Sequence, residues 1–581
     1  MSTKFDHYHT LAAPLPSQNF AWNMYGSGVE NIGKDGQPEP FSVPEPNDDQ
    51  LLVRVDSVGM CFSDVKLIRQ GGNHPKLYNR NLAEEPTRLG HEAALTVIKV
   101  GQNLRDQYRP GQRLAMQPDI YQNGKSTAYG YTIPGGLIQY HLIGAEVLET
   151  DTGACLLPLA GDMGYAETAL LEPWGCVMAA YTQRRRLTPL PGGTMWIMGQ
   201  PDDTTAYQFS SYLDAPATII LSDVPPQVVA LAQQSGANIV ERNGIGVGDV
   251  AELAAAETGG KGFDDIVLLA PRSAALVSQI ARHIARRGTL NLIGSEPLDG
   301  LVDADVGRLH YDYIAFVGNR GPDIAASYGE VRNRCELTPN GATVIVGAGG
   351  PMGQMHVQRA IELPNGPRLI IATEVNDMRL AALAERFAPL AEANGRTLLT
   401  FNPQTAVSQT LHEFVTQATD QLGADDVVVC VPIAPLMKEA ATLLNPNGML
   451  VLFAGVPNGT MAPLDLSAVY LHNAQFTGTS GLTIDDQALV MERTLAGSLS
   501  PSRSVAAVGG MEAAQDGIRA MMDGRFPGKI VIFPQITGLP LLGLDELATQ
   551  YPAIGQHLAD GKWWTAAAEA ALIEVFWEES S

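Results

Sequence analysis

Cysteine is scarce in this chain. Its 581 residues include five, Cys61, Cys155, Cys176, Cys335 and Cys430, odd in number and far apart. That excludes a disulfide framework and argues against a lobe of Cys-x-x-Cys zinc ligands. Long apolar runs are missing too. None reaches the length that spans a bilayer, and the opening Met1-Ser2-Thr3-Lys4-Phe5-Asp6-His7 lacks the apolar core of a secretion signal. A soluble, cytoplasmic protein is the expectation. Positive charge is also short, with 38 Lys and Arg against 62 Asp and Glu, a net charge of −24. Such acidity argues against a nucleic-acid or anionic-membrane partner. The rest is 45% apolar and 17% charged, the balance of an ordinary folded core. The length predicts three or four domains.

What is present centres on Leu89-Gly90-His91-Glu92, with Cys61-Phe62-Ser63-Asp64 before it and Leu171-Glu172-Pro173 after it. A sulfur, an imidazole and two carboxylates are the donor types of one open zinc site, in which a position stays free for water or substrate. Each residue has a plainer reading. Cysteine is most often a small buried apolar group, and Glu172 before a proline suits the first turn of a helix. His74 and His141 are read as structural or surface groups.

Residues 1–188 are rich in short β-type runs, such as Leu51-Leu52-Val53-Arg54-Val55, punctuated by Arg109-Pro110-Gly111 and Pro134-Gly135-Gly136. From about 190 the texture changes to apolar strands alternating with Ala-rich helical stretches, which predicts a parallel sheet. The order then repeats. Met195 to Gly199, Ala217 to Asp223, Asp265 to Leu269 and Gly288 to Gly294 correspond to Thr343 to Gly347, Arg368 to Glu374, Asp426 to Cys430 and Gly448 to Gly455. Two tandem doubly wound folds are expected, at 189–335 and 336–480. A return segment at 481–535 and a helical tail at 536–581 follow, with Trp563 and Trp564 anchoring the tail by burial.

The two copies differ at their first turn. The second has Gly347-Ala348-Gly349-Gly350-Pro351-Met352-Gly353 directly after an apolar strand, one residue longer than the usual G-x-G-x-x-G. Glu374 ends the next strand, where an acid would bond the ribose 2′-hydroxyl and repel a 2′-phosphate. NAD is therefore favoured, and Arg379 nearby leaves NADP open. The first copy has Gly199-Gln200-Pro201-Asp202-Asp203 instead, with one glycine and two carboxylates. A pyrophosphate would find no close backbone and a like charge there, so a structural or interface role is expected of that copy.

Taken in order, these motifs resemble the zinc-containing medium-chain dehydrogenase/reductase superfamily of alcohol and sorbitol dehydrogenases. Within it the likeness is to sorbitol and sorbose-1-phosphate reductase-like enzymes. Gly59 to Asp64, Gly90-His91-Glu92, Pro110-Gly111-Gln112-Arg113, Glu172-Pro173 and Gly528-Lys529-Ile530-Val531 carry it. The extra nucleotide-type copy is outside the resemblance. The resemblance implies an α/β protein with a GroES-like β-rich catalytic domain, here followed by two Rossmann-like domains. It implies one catalytic zinc held by Cys61, His91, Glu92 and Glu172, with Glu92 a ligand or near one and Glu172 direct or through water. Ser63 would hydrogen-bond the substrate oxygen and Asp64 would act from behind the ligands. A dimer or tetramer is implied as well.

Two departures stand out. No cysteine lies between His91 and Cys155, so a structural zinc is not expected. Lys66 stands where members often carry a histidine at the outer end of a proton relay. It would relay only with a strongly lowered pKa; otherwise it holds an anionic substrate group or is a surface lysine. Phosphate recognition rests on the resemblance and on scattered Lys66, Arg80 and Arg88. The expected activity is hydride transfer between NAD(H) and a secondary alcohol or ketone of a polyol, sugar or sugar phosphate. The alternatives are a zinc-free reductase of enones or quinones, and a non-catalytic nucleotide-binding scaffold.

Overall fold

A computed structural model of the chain describes residues 3–579. It divides into two compact units, residues 1–178 with 482–581, and residues 179–481.

The first unit is built on an eight-stranded sheet. Its strands run in the order Leu156–Pro158, Arg113–Met116, Glu92–Val100, Leu51–Gly59, Lys529–Phe533, Val505–Gly510 and Leu542–Gly543, and Tyr140–Ile143 pairs with Leu51–Gly59. Leu51–Gly59 is buried along its whole length. Both of its faces are therefore covered, which suits a run so rich in Leu and Val. Its start pairs with Tyr140–Ile143, and its end, Val58 and Gly59, pairs with Ile532 and Val531. A segment more than 400 residues downstream thus borders the strand that leads into Cys61.

The tail closes on this unit. The helix Ala566–Phe576 packs beside the helix Lys4–Thr10, with the Tyr8 and Trp577 rings 5.2 Å apart. Trp563 and Trp564 are buried. Glu569 points inward from that helix and accepts hydrogen bonds from the Tyr165 and Ala166 amides at 2.5 and 2.8 Å. Burial pushes its carboxyl up to about 7, against the pull of those amides. A folded pKa above the unfolded one means that stability is fully present at low pH and is lost as pH rises from about 4.5 to about 7. Glu569→Gln is expected to flatten that part of the urea-unfolding profile, by on the order of 3 kcal/mol between pH 4 and 8.

The second unit holds two six-stranded sheets, parallel throughout. The first runs Asn238–Glu241, Thr218–Ser222, Thr194–Met198, Phe263–Leu269, Ile284–Ile293, Ala315–Asn319. The second runs Thr397–Phe401, Leu369–Thr373, Ala342–Val346, Ala424–Val429, Leu444–Leu452, Gln475–Thr477. Each sheet therefore starts at its centre and winds outward both ways, the doubly wound arrangement. The copies are stitched together by antiparallel pairing of Val302–Asp305 with Met461–Leu464, and one hydrophobic cluster runs through both.

The copies part at the first crossover. In the second copy the helix Pro351–Glu362 follows the first strand. In the first copy, residues 199–217 contain no helix, against the helical stretch expected there. This stretch has Pro201 and Pro216 near its ends and no apolar repeat at helical spacing. It folds as a loop that buries Tyr207 against the sheet and fixes it by a hydrogen bond from its hydroxyl to Asp203.

Candidate metal centre and dinucleotide turn

Cys61 is the residue before the helix Phe62–Gln70. Its backbone is pinned because the Asp64 carboxylate accepts the Cys61 amide at 3.3 Å, the geometry of a helix cap. His91 and Glu92 enter the sheet next to Gly90, whose φ of +95° and contacts with Val58 and Leu137 leave no room for a side chain. The donor atoms of Cys61, His91 and Glu92 lie within 4.8 Å of one another.

The surroundings of these three atoms are specific. Asp64 Oδ1 is 3.1 Å from His91 Nδ1. A proton on Nδ1 satisfies that bond and leaves Nε2 as a lone pair facing the centre, the usual way a carboxylate orients a ligand histidine. Ser63 Oγ lies 3.1 Å from Cys61 Sγ and 3.3 Å from His91 Nε2. Burial works against a charged His91, but Asp64 and Cys61 outweigh it and hold the imidazole well above its ordinary range.

Glu92 is fully buried. Its Oε1 accepts from Lys529 Nζ at 2.5 Å, and Lys529 also donates to the Met60 carbonyl at 2.7 Å. Burial pulls the Lys529 ammonium down, yet Glu92 and Cys61 reverse that and raise it. Glu92 Oε2 is buried with no hydrogen-bond partner. It points to the space above Gly59, where an added Cβ would collide with it. A buried carboxylate oxygen left unpaired is costly, and a cation beside Cys61 and His91 would satisfy it. Sulfur, nitrogen and carboxylate oxygen are zinc donors, so these residues fit that metal.

Glu172 stands at the start of the helix Leu171–Ala179, buried, outside the set of three. It accepts a weak bond from Cys176 Sγ at 3.8 Å. Burial pushes its carboxyl up to about 7, with His91 pulling down and Glu92 pushing up. Burial also raises the Cys176 thiol, helped by Glu172 and Asp119. Lys66 is exposed on the Phe62–Gln70 helix. Arg80 donates to the Thr132 carbonyl at 2.9 Å, and Arg88 keeps a buried, unpartnered Nε.

Sequence reasoning missed Lys529, Tyr131 and Asp119. Lys529 opens the otherwise apolar strand Lys-Ile-Val-Ile-Phe, and a buried lysine in such a strand needs a carboxylate partner. That was the available signal. For Tyr131, 5.9 Å from the His91 ring, and for Asp119 no local pattern stands out.

In the other unit, Gly347 has φ of +79° and its amide bonds the Thr373 carbonyl at 3.0 Å. Gly350 precedes the helix without a side-chain cap, and Pro351 and Met352 open it. The first-turn amides are thus left for an anion, which a helix N-terminus favours. A Cβ on Gly353 would run into the Gly347 carbonyl, so helix and strand pack only with glycine there. Glu374 takes the Gly349 amide at 3.1 Å and the Val375 and Asn376 amides at 2.9 and 3.1 Å. In the first copy Asp203 accepts from Thr205 and Tyr207, and no helix N-terminus faces the turn.

Known proteins bear on this geometry. Residues 47–174 match the family model of the alcohol dehydrogenase GroES-like domain. A sorbitol dehydrogenase of Bacillus subtilis is 30% identical over 295 residues, covering 47% of this chain and 75% of that protein. The chain belongs to the medium-chain dehydrogenase/reductase superfamily. An L-sorbose 1-phosphate reductase of Klebsiella pneumoniae is 27% identical over 52% of this dehydrogenase chain and 75% of its own length. A mannitol-1-phosphate 5-dehydrogenase of Aliivibrio fischeri is 24% identical over 94% of the chain and 96% of its own length. That alignment is long enough to run through both nucleotide-type copies, so this superfamily member shares its extended length with that relative. No helix among the described residues is long and apolar enough to cross a membrane.

Proposed function

We propose that this oxidoreductase transfers a hydride between NAD(H) and a secondary alcohol or ketone of a polyol, sugar or sugar phosphate, with one catalytic zinc at Cys61, His91 and Glu92. Glu172 is the fourth candidate ligand, direct or through water. The reading is carried by the unpaired, buried Glu92 Oε2 beside the sulfur and imidazole. The named activities of the relatives support the substrate class.

When bound, zinc supplies Lewis acidity, which makes a hydroxyl easier to deprotonate. The chain does the rest. Ser63 Oγ, in reach of both Cys61 and His91, would accept a hydrogen bond from the reacting hydroxyl and relay its proton outward, giving up its own hydroxyl proton to solvent as it takes the new one. Asp64 holds His91 in one tautomer. Lys529 holds Glu92 Oε1 and leaves Oε2 without a hydrogen-bond donor, open to a cation. NAD, held by the glycine turn, would supply the hydride acceptor.

Cofactor binding is assigned to Gly347, Gly349, Gly350, Pro351, Met352, Gly353 and Glu374. The Glu374 carboxylate would repel a 2′-phosphate, which favours NAD. Glu374→Ser is expected to cut the ratio of kcat/KM for NAD over NADP at least about tenfold, since a like-charge clash is worth several kcal/mol. An unchanged ratio would remove Glu374 from coenzyme choice. The metal assignment is tested by elemental analysis of the purified protein, with one zinc per chain as the expected result.

A further inference from the structure

The two nucleotide-type copies of the second unit meet through corresponding parts of themselves. Sheet register fixes which residues correspond. Thr289 pairs with Ala315 in the first copy, and Met449 pairs with Gln475 in the second. The segments between are equal in length, so each residue from Thr289 onward has its counterpart 160 positions later.

Across the boundary the contacts come in exchanged pairs. Val302 faces Leu464, and Ala304, the counterpart of Leu464, faces Ala462, the counterpart of Val302. Asp303 faces Pro463, its own counterpart, so a local two-fold axis passes between them. The hydrogen bonds follow the same exchange. Arg185, leading into the first copy, donates from Nη2 to the Leu309 carbonyl at 2.8 Å and across to the Gly478 carbonyl at 2.9 Å. Arg332, leading into the second, donates from Nη2 to the Val469 carbonyl at 3.4 Å and across to the Gly318 carbonyl at 2.7 Å. Val469 and Gly478 are the counterparts of Leu309 and Gly318. Tyr470 and its counterpart His310 also cross over. Tyr470 donates to the Glu296 carbonyl at 2.6 Å, and His310 Nδ1 lies 3.1 Å from the Leu452 carbonyl. Faces that exchange partners in this way are self-complementary, as in an interface between two identical chains. Here one chain supplies both sides.

Burial and divergence divide along the same line. Ala315–Asn319 and Gln475–Thr477 are each the last strand of their own sheet, yet they lie beside each other and are buried except for Asn319. An open strand edge would offer its backbone groups to another chain. The strand Thr194–Met198, after which the first copy lacks both glycine turn and helix, is three strands in from that shared boundary. The first copy thus keeps the face it shares and lacks what a dinucleotide needs.

We propose that the first copy takes the place of a second chain. It fills, from within the chain, the self-complementary face of the second copy, so that another copy of this protein cannot pair there. Its role is to be the partner across that face rather than to bind nucleotide. A dimer or tetramer of this protein would need another surface.

The test is disulfide trapping in the full-length protein. Pro463 has no N–H, and the Asp303 amide donates to Ser278 Oγ at 3.0 Å, so no ladder bond joins Asp303 to Pro463. The Cα atoms of such a pair are about 4.5 Å apart, within disulfide range. Asp303→Cys, Pro463→Cys and the double variant are oxidised, and the links are mapped by mass spectrometry. Most of the double variant is expected to form the 303–463 link within one chain, at the single-chain mass of 62.0 kDa. Pro463→Cys alone is expected to form no 463–463 link, because that link needs the second copies of two chains to meet at the axis. A 463–463 link in Pro463→Cys, or a 303–463 link that joins two chains at twice the mass, would overturn the proposal. So would the absence of a 303–463 link in a double variant that unfolds as cooperatively as the unmodified protein. If the double variant does not fold, Ala304→Cys with Ala462→Cys repeats the test at paired, buried alanines, with a link inside one chain expected and a link between chains, or none, against it.

Discussion

Cys61→Ala is expected to lower kcat/KM by at least about 10³-fold and to take zinc per chain from one to near zero. The magnitude follows from the several kcal/mol that a Lewis acid contributes to a charged transition state, at about 1.4 kcal/mol per tenfold. The fold should survive the change. The stronger half of the helix cap at this position is the Cys61 backbone amide bonded to the Asp64 carboxylate, which the substitution keeps. Ser63 keeps His91 Nε2 as a neighbour. Thermal unfolding within a few degrees of the unmodified protein, together with lost zinc and lost turnover, is the expected combination. Full turnover with Cys61→Ala would remove the metal from the reaction.

Lys529→Met is expected to destabilise the first unit by about 3–5 kcal/mol, because it leaves the buried Glu92 carboxylate without its partner. Both members of this pair are almost fully buried. Pairing at 2.5 Å is what makes the charge tolerable there. The loss should be larger for metal-free protein than for zinc-loaded protein, since a bound cation would share the neutralisation of Glu92. Adding Glu92→Gln to Lys529→Met should recover much of the stability, as removal of both charges often does. Urea unfolding of the single and double variants, with and without zinc, measures all three effects. Equal destabilisation in both metal states would count against Glu92 Oε2 as a zinc contact.

Much of the architecture is legible in the sequence, for physical reasons. Parallel strands buried on both faces read as short apolar runs, and both six-stranded sheets announce themselves that way, from Met195–Met198 through Phe476. His91 and Glu92 are adjacent in the chain, and Cys61 lies at the end of the paired strand, so local motifs carry much of the centre. Lys529 is 437 residues from Glu92, and only folding brings the two together. Tyr131 and Asp119 sit on connections whose course no periodicity specifies. The missing helix after Thr194–Met198 shows the opposite limit. The repeat predicts a crossover, but the local residues, with prolines and carboxylates in place of the glycine turn, decide what fills it.

The most direct measurement of the central claim is NADH formation from the polyol and sugar-phosphate panel, taken before chelation, after chelation and after zinc is restored. Turnover that vanishes with the metal and returns with zinc is the predicted result. Turnover that ignores the chelator would contradict it and favour a zinc-free reductase of the same superfamily.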